Sequence, residues 1–139
     1  MNKVLLDTDI YSEVLKEIDP RVGDRAAAYR EEYDRFTITA VTVMEIVKGL
    51  RRMARPDRAE RLLRQLRTTE VLSFDADAAT VAGQIFADLE RIGQLIGHAD
   101  PMIAAVAVRH GLPLVTGNGK HFERIQALGY ALELENWRV

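Results

Sequence analysis

Short apolar runs closed by a polar residue alternate along this chain with longer stretches whose apolar positions recur every three or four residues. The first pattern predicts buried strands, the second amphipathic helices. Val4 to Leu6 ends on Asp7 and predicts a short strand, after which Thr8 to Leu15 starts a helix. Residues 25–35 have helical character, Phe36 to Thr39 form a second strand, and Thr42 begins a helix with Val43, Ile46, Val47 and Leu50 on its apolar side. The stretch 57–67 sets Ala59, Leu62, Leu63 and Leu66 on one helix face. Val71 to Phe74 is a further apolar run, and Asp75 caps a helix whose inner face holds Ala78, Val81, Ala82, Ile85, Phe86 and Leu89. The segment headed by Asp100 is so apolar that it must be a buried helix, followed by a strand from Leu112 to Thr116 and a last run, Ala131 to Glu135, near Trp137. This alternation predicts an α/β fold in which a mostly parallel central sheet is flanked by helices on both faces.

Composition narrows the picture. A chain of 139 residues, 47% hydrophobic and without repeat or linker, suits one domain spanning 1–139. No cysteine is present, which excludes thiol catalysis, disulfides and thiolate metal sites and fits a reducing compartment. No window approaches the roughly 18 apolar residues of a membrane span, so the expectation is a soluble, cytoplasmic protein with no membrane partner. The net charge is only -2, yet residues 48–67 carry Lys48, Arg51, Arg52, Arg55, Arg58, Arg61, Arg64 and Arg67 against Asp57 and Glu60. At helical spacing on either side of Pro56 they form basic stripes, suited to a phosphate backbone, to an acidic protein partner, or simply to solvent.

In an open parallel sheet the ligand crevice lies outside the carboxyl ends of the strands. Asp7 sits at such an end, Asp100 heads the apolar helix, Glu45 lies near the start of a helix that follows a strand, and Thr116-Gly117-Asn118 leaves a later strand. Each has a structural alternative. Asp100 before Pro101 suits an N-cap with proline at the first helical position, Thr42 with Glu45 matches a capping box, and Asp9 can cap the first helix. Asn118 can be a turn residue, Thr116 strand filler, and His121 with Phe122 an anchor for the next helix.

Their joint order resembles a family. The stretches LLDTDIYSEVL, ITAVTVMEIVKGL, HADPMIAAVAVRHGLPLVTGNGKHFERI and LELENW are similar to PIN domains of VapC-type toxins, across essentially the whole chain. The resemblance implies a PIN-like three-layer fold and a metal-dependent endoribonuclease, dimeric and held inactive by a cognate antitoxin. It implies that Asp7, Glu45 and Asp100 are the acidic site residues, with Thr8, Thr116 and Asn118 in support. Where many relatives carry a fourth acid, this chain has His121. Lys48, Arg51, Arg52 and Arg55 are the candidate RNA contacts. Two carboxylates about 5 Å apart repel by roughly 3 kcal/mol at an effective dielectric near 20, so the acids call for protonation or a cation. Oxygen ligands without cysteine suit Mg²⁺, with Mn²⁺ as a substitute, bound chiefly by Asp7 and Asp100 with Glu45 at a second ion or the attacking water. Two alternatives are a non-catalytic RNA- or protein-binding module and a phosphatase of the haloacid-dehalogenase type, whose first motif the Asp7-Thr8-Asp9 run also resembles.

Overall fold

The computed structural model describes residues 1–139. Its elements run β1 (Leu5–Leu6), α1 (Thr8–Lys16), α2 (Pro20–Tyr33), β2 (Thr37–Thr39), α3 (Ala40–Arg52), α4 (Pro56–Leu66), β3 (Glu70–Leu72), α5 (Ala76–Arg91), α6 (Ala99–His110), β4 (Leu114–Val115), α7 (Gly119–Ala127) and β5 (Leu134–Glu135). The regular strands are shorter than the apolar runs that announce them, because ladder pairing covers only part of each run, and β3 starts one residue earlier, at Glu70.

Every strand pair is parallel: β1 with β4, β4 with β5, and β2 with β3. The ladders form a three-stranded and a two-stranded piece, and β2 lies alongside β1, so the layer reads β3-β2-β1-β4-β5. The chain moves outward from β1 on one side, then crosses to continue on the other. The strand order therefore reverses between β1 and β4, the position where a crevice opens at the strands' carboxyl ends.

The two-residue period of an extended chain assigns side chains to layers. Leu5 and Leu114 pack on one face with Ala82, Ile85, Ile103 and Phe122 of α5, α6 and α7. Leu6 and Val115 pack on the other with Ile10, Tyr29 and Leu62 of α1, α2 and α4. The result is the three-layer sandwich expected from the alternating pattern. Ile103 to Ala107 of α6 are fully buried, and the alanines among them let α5 approach closely. Each isoleucine or leucine buried in this way contributes about 2 kcal/mol.

Helices α3 and α4 bury less than their patterns suggest. Val43, Ile46, Leu50, Leu62 and Leu66 pack inward, but Val47 is 43% and Leu63 59% exposed. The pair covers one margin of the core, where only part of an apolar stripe finds a partner. No helix is long and apolar enough to cross a membrane.

Candidate active site

Asp7 leaves β1 where the strand order reverses. Its amide donates to Val115 O at 2.9 Å, which fixes it beside the end of β4. Its carboxylate is 3% exposed; Oδ1 accepts the Thr8 N–H at 2.8 Å and Oδ2 accepts the Thr116 hydroxyl at 2.7 Å. Thr116 Oγ1 also accepts the Asn118 N–H at 2.9 Å, so its own hydrogen is committed to Asp7. Thr116 is thus no strand filler. Asn118 contributes its backbone amide, while its exposed side chain makes no capping bond at the head of α7. Burial first, then the charge of Asp9, pushes Asp7 from 3.8 up to about 7; the Thr116 and Thr8 hydrogen bonds oppose the rise, and Asp100 adds to it.

Asp100 does not cap α6. His98 occupies the cap position, and Asp100 falls in the first helical turn, where the helix dipole favours a negative charge. Its Oδ2 stands 2.9 Å from His121 Nδ1. His121 lies inside α7, next to Phe122, whose buried ring seats that helix on the core. The histidine in place of a fourth acid is therefore a partner of Asp100.

Glu45 is not part of a capping box either. Thr39 caps α3 by accepting the Thr42 N–H at 3.0 Å, so Glu45 lies in the second turn. Its Oε1 accepts the Thr8 hydroxyl at 2.6 Å. Because Thr8 Oγ1 spends its hydrogen there, it accepts from Thr42 Oγ1 at 2.9 Å. Thr8 ties Asp7 through its amide to Glu45 through its hydroxyl. Three strand-to-helix junctions, β1–α1, β2–α3 and β4–α7, thus deliver their side chains to one rim.

The acids do not stand as a preassembled three-ligand cage: no three acid or histidine side chains are arranged to hold one ion unaided. What the site offers is a buried aspartate that feels the charge of Asp100 across the crevice, with two neutral donors and no cationic partner bonded to it. That donor set suits Mg²⁺, which takes one or two carboxylates and keeps several waters. Asp7 and Asp100 fit such an ion; Glu45 is linked to them through Thr8.

Lys48, Arg51 and Arg52 are exposed on α3, and Lys48 and Arg52 follow Glu45 by three and seven residues, on the same helix face. Arg55, half-buried, stands 3.5 Å from Asp57. Arg58 and Arg61 instead turn to a groove of about 450 Å³ between α1, α2, α3 and α4, lined also by Leu15, Phe36, Leu50 and Leu62. Sequence patterns did not single out Arg138 or Glu13. Arg138 reaches Glu13 at 2.7 Å and Asp9 at 3.5 Å. Asp9 itself accepts the Gly117 N–H at 2.9 Å in addition to that of Ile10.

The chain matches the PIN domain family model over residues 4–128. It is 35% identical to the tRNA(fMet)-specific endonuclease VapC of Shigella flexneri over 99% of both chains. It is 32% identical to ribonuclease VapC2 of Haemophilus influenzae, again over 99% of both. Among solved structures it superposes on the DNA-bound VapBC from Salmonella typhimurium with a TM-score of 0.81, at 33% identity and 99% coverage of each chain. With the strand order, the acid-bearing junctions and these relatives in agreement, the chain belongs to the PIN-domain family, among its VapC ribonucleases.

Proposed function

We propose that this protein is the endoribonuclease toxin of a toxin–antitoxin pair, hydrolysing RNA phosphodiester bonds with Mg²⁺, for which Mn²⁺ substitutes. The observation that carries the proposal is Asp7: a nearly inaccessible carboxylate, raised to about 7 by burial and by two neighbouring aspartates, at the reversal of strand order. A protein keeps such a group charged at a cost unless a cation compensates it.

Asp7 and Asp100 would hold the ion. When bound, it supplies charge neutralisation and Lewis acidity to the phosphodiester. Thr116 and the Thr8 amide orient the Asp7 oxygens, and His121 holds one oxygen of Asp100. Glu45, with Oε1 engaged by Thr8, keeps Oε2 to orient the attacking water and take its proton. Lys48, Arg51, Arg52 and Arg55 would carry the RNA backbone away from Glu45 along α3.

One solved neighbour is the VapBC from Salmonella typhimurium and another, from Mycobacterium tuberculosis, is a member of the VapBC family of toxin–antitoxin systems, which supports an antitoxin as partner. The groove beside Arg58 and Arg61 fits an acidic segment with apolar side chains from that protein. Exposed Met44 and Val47, three residues apart on α3, support assembly as a homodimer, which light scattering would detect.

The test is cleavage of an initiator tRNA transcript, chosen because the Shigella flexneri relative is a tRNA(fMet)-specific endonuclease. Asp7→Asn and Asp100→Asn should each lower cleavage at least about 100-fold while leaving the circular dichroism spectrum unchanged. Chelation should abolish the wild-type activity, and Mg²⁺ or Mn²⁺ should restore it. Undiminished cleavage by both variants would refute the assignment.

A further inference from the structure

The penultimate residue of the chain reaches the rim of the site. Trp137, buried against Tyr29 with ring centroids 5.8 Å apart, pins the tail to the layer of α1 and α2. From that anchor the Arg138 guanidinium extends to α1. Its Nε lies 3.0 and 3.2 Å from the two carboxylate oxygens of Glu13, and Nη2 lies 2.7 Å from Glu13 Oε1 and 3.5 Å from Asp9 Oδ2. Asp9 Oδ2 accepts the Gly117 N–H at 2.9 Å. Gly117 stands between Thr116, whose hydroxyl holds Asp7, and Asn118, whose amide fixes that hydroxyl.

Gly117 supplies an independent sign that this contact is built in. Its backbone is not left-handed, unlike that of Gly93, Gly111 and Gly129, so conformation does not require glycine there. Space does. A Cβ on Gly117 would stand 1.8 Å from Arg138 Nη1 and 2.7 Å from Asp9 Oδ2. The guanidinium occupies the space a side chain at 117 would take, so a Cβ there would displace it from the turn.

We infer that Arg138 is a positioning residue: held by Glu13, its guanidinium offsets part of the Asp9 charge and, through Asp9 and the Gly117 N–H, fixes the turn whose Thr116 hydroxyl orients Asp7. Without the guanidinium, Asp9 loses its nearby cation and faces both Asp7 and Glu13, and it gains by turning to water and releasing Gly117. An asparagine at position 9 would offer the same acceptor oxygen with no charge to balance. The arginine is therefore needed because residue 9 is an acid. The consequence for cleavage rests on the nuclease proposal; the strap itself does not.

The experiment uses the 139-residue chain as wild type, Arg138→Ala, Arg138→Lys, Asp9→Asn, and the D9N/R138A pair. Exchange of the Gly117 amide with water, read by NMR without metal or RNA, reports the strap. The kcat and KM for the initiator tRNA transcript with Mg²⁺ report its effect on the site. In R138A the Gly117 amide should exchange about 10-fold faster, and kcat should fall roughly 10-fold while KM stays within about twofold. R138K, which keeps the charge but loses the fork that grips Glu13, should fall between, and it preserves the test if R138A does not fold. D9N/R138A should lie within about twofold of D9N on both readouts. Unchanged Gly117 exchange in R138A and R138K overturns the strap, and an unchanged kcat in an active enzyme overturns its positioning role. A wild type that cleaves no RNA removes the nuclease proposal alone, and amide exchange then decides the strap.

Discussion

Asp7 is an acid whose surroundings resist its charge, and that conflict has a measurable sign. Its carboxyl is raised from 3.8 to about 7, first by burial and then by Asp9. Between those values the native protein holds a proton that the unfolded chain has released, so stability falls as pH rises through this window. The penalty is absent below the unfolded value and complete above about 7. Each unit corresponds to about 1.4 kcal/mol, a few kcal/mol in all for the metal-free protein. In chelator, the wild-type denaturation midpoint should therefore drop between pH 5 and pH 8 by more than that of Asp7→Asn. Parallel pH profiles for the two proteins would contradict the account. At this scale the sequence was informative about where Asp7 stands, because an acid directly after a buried run marks the end of a strand. It was not informative about their partners. His121 meets Asp100 only because α7 folds back beside α6, and the cap assignments for Asp100 and Glu45 fail because each helix starts earlier than its pattern implies. Arg138 was illegible because its partners, Glu13 and Asp9, lie more than a hundred residues away in the sequence and nothing local points to them. Gly117, a glycine whose backbone conformation does not call for one, was its nearest signal.

The α3–α4 pair shows what periodicity resolves and what it does not. Both helices exist as the pattern implied, α3 starting two residues earlier, and the basic stripes on the two sides of Pro56 face different surfaces. Lys48, Arg51 and Arg52 project to solvent beyond Glu45, whereas Arg58 and Arg61 line the groove against α1 and α2. Spacing along a helix fixes which residues share a face, but not which face meets the rest of the molecule. The division separates two contributions to binding. Replacing Lys48, Arg51 or Arg52 by alanine should weaken tRNA binding by catalytically inert Asp7→Asn protein. It should also reduce the slope of log affinity against log salt by about 0.7 to 0.9 for each phosphate no longer neutralised. Arg58→Ala and Arg61→Ala should leave that slope unchanged. Fluorescence anisotropy over a salt series measures both, and an equal reduction of slope in the two sets would assign the groove to RNA instead.

For the molecule as a whole, strand order is the decisive feature, and it is what a single sequence conceals. Alternating strands and helices announced parallel pairing and three layers, but placing β4 beside β1 joins segments more than a hundred residues apart, with no local pattern to specify it. That arrangement sets Asp7 and Asp100 across one crevice in the native state only; in the unfolded chain they are 93 residues apart and share nothing. A cation that needs both carboxylates therefore binds the folded protein and not the unfolded one, so binding appears as stability. At a free concentration about 100 times its dissociation constant, such an ion adds roughly 2.7 kcal/mol, a rise in Tm of roughly 5–10 °C for a chain of this size. Differential scanning fluorimetry with Mn²⁺ should register that rise in wild type and in Arg51→Ala, and should lose it in Asp7→Asn and Asp100→Asn. An equal rise in all four proteins would mean that the ion binds elsewhere, and the proposed assignment of Asp7 and Asp100 as its ligands would fail.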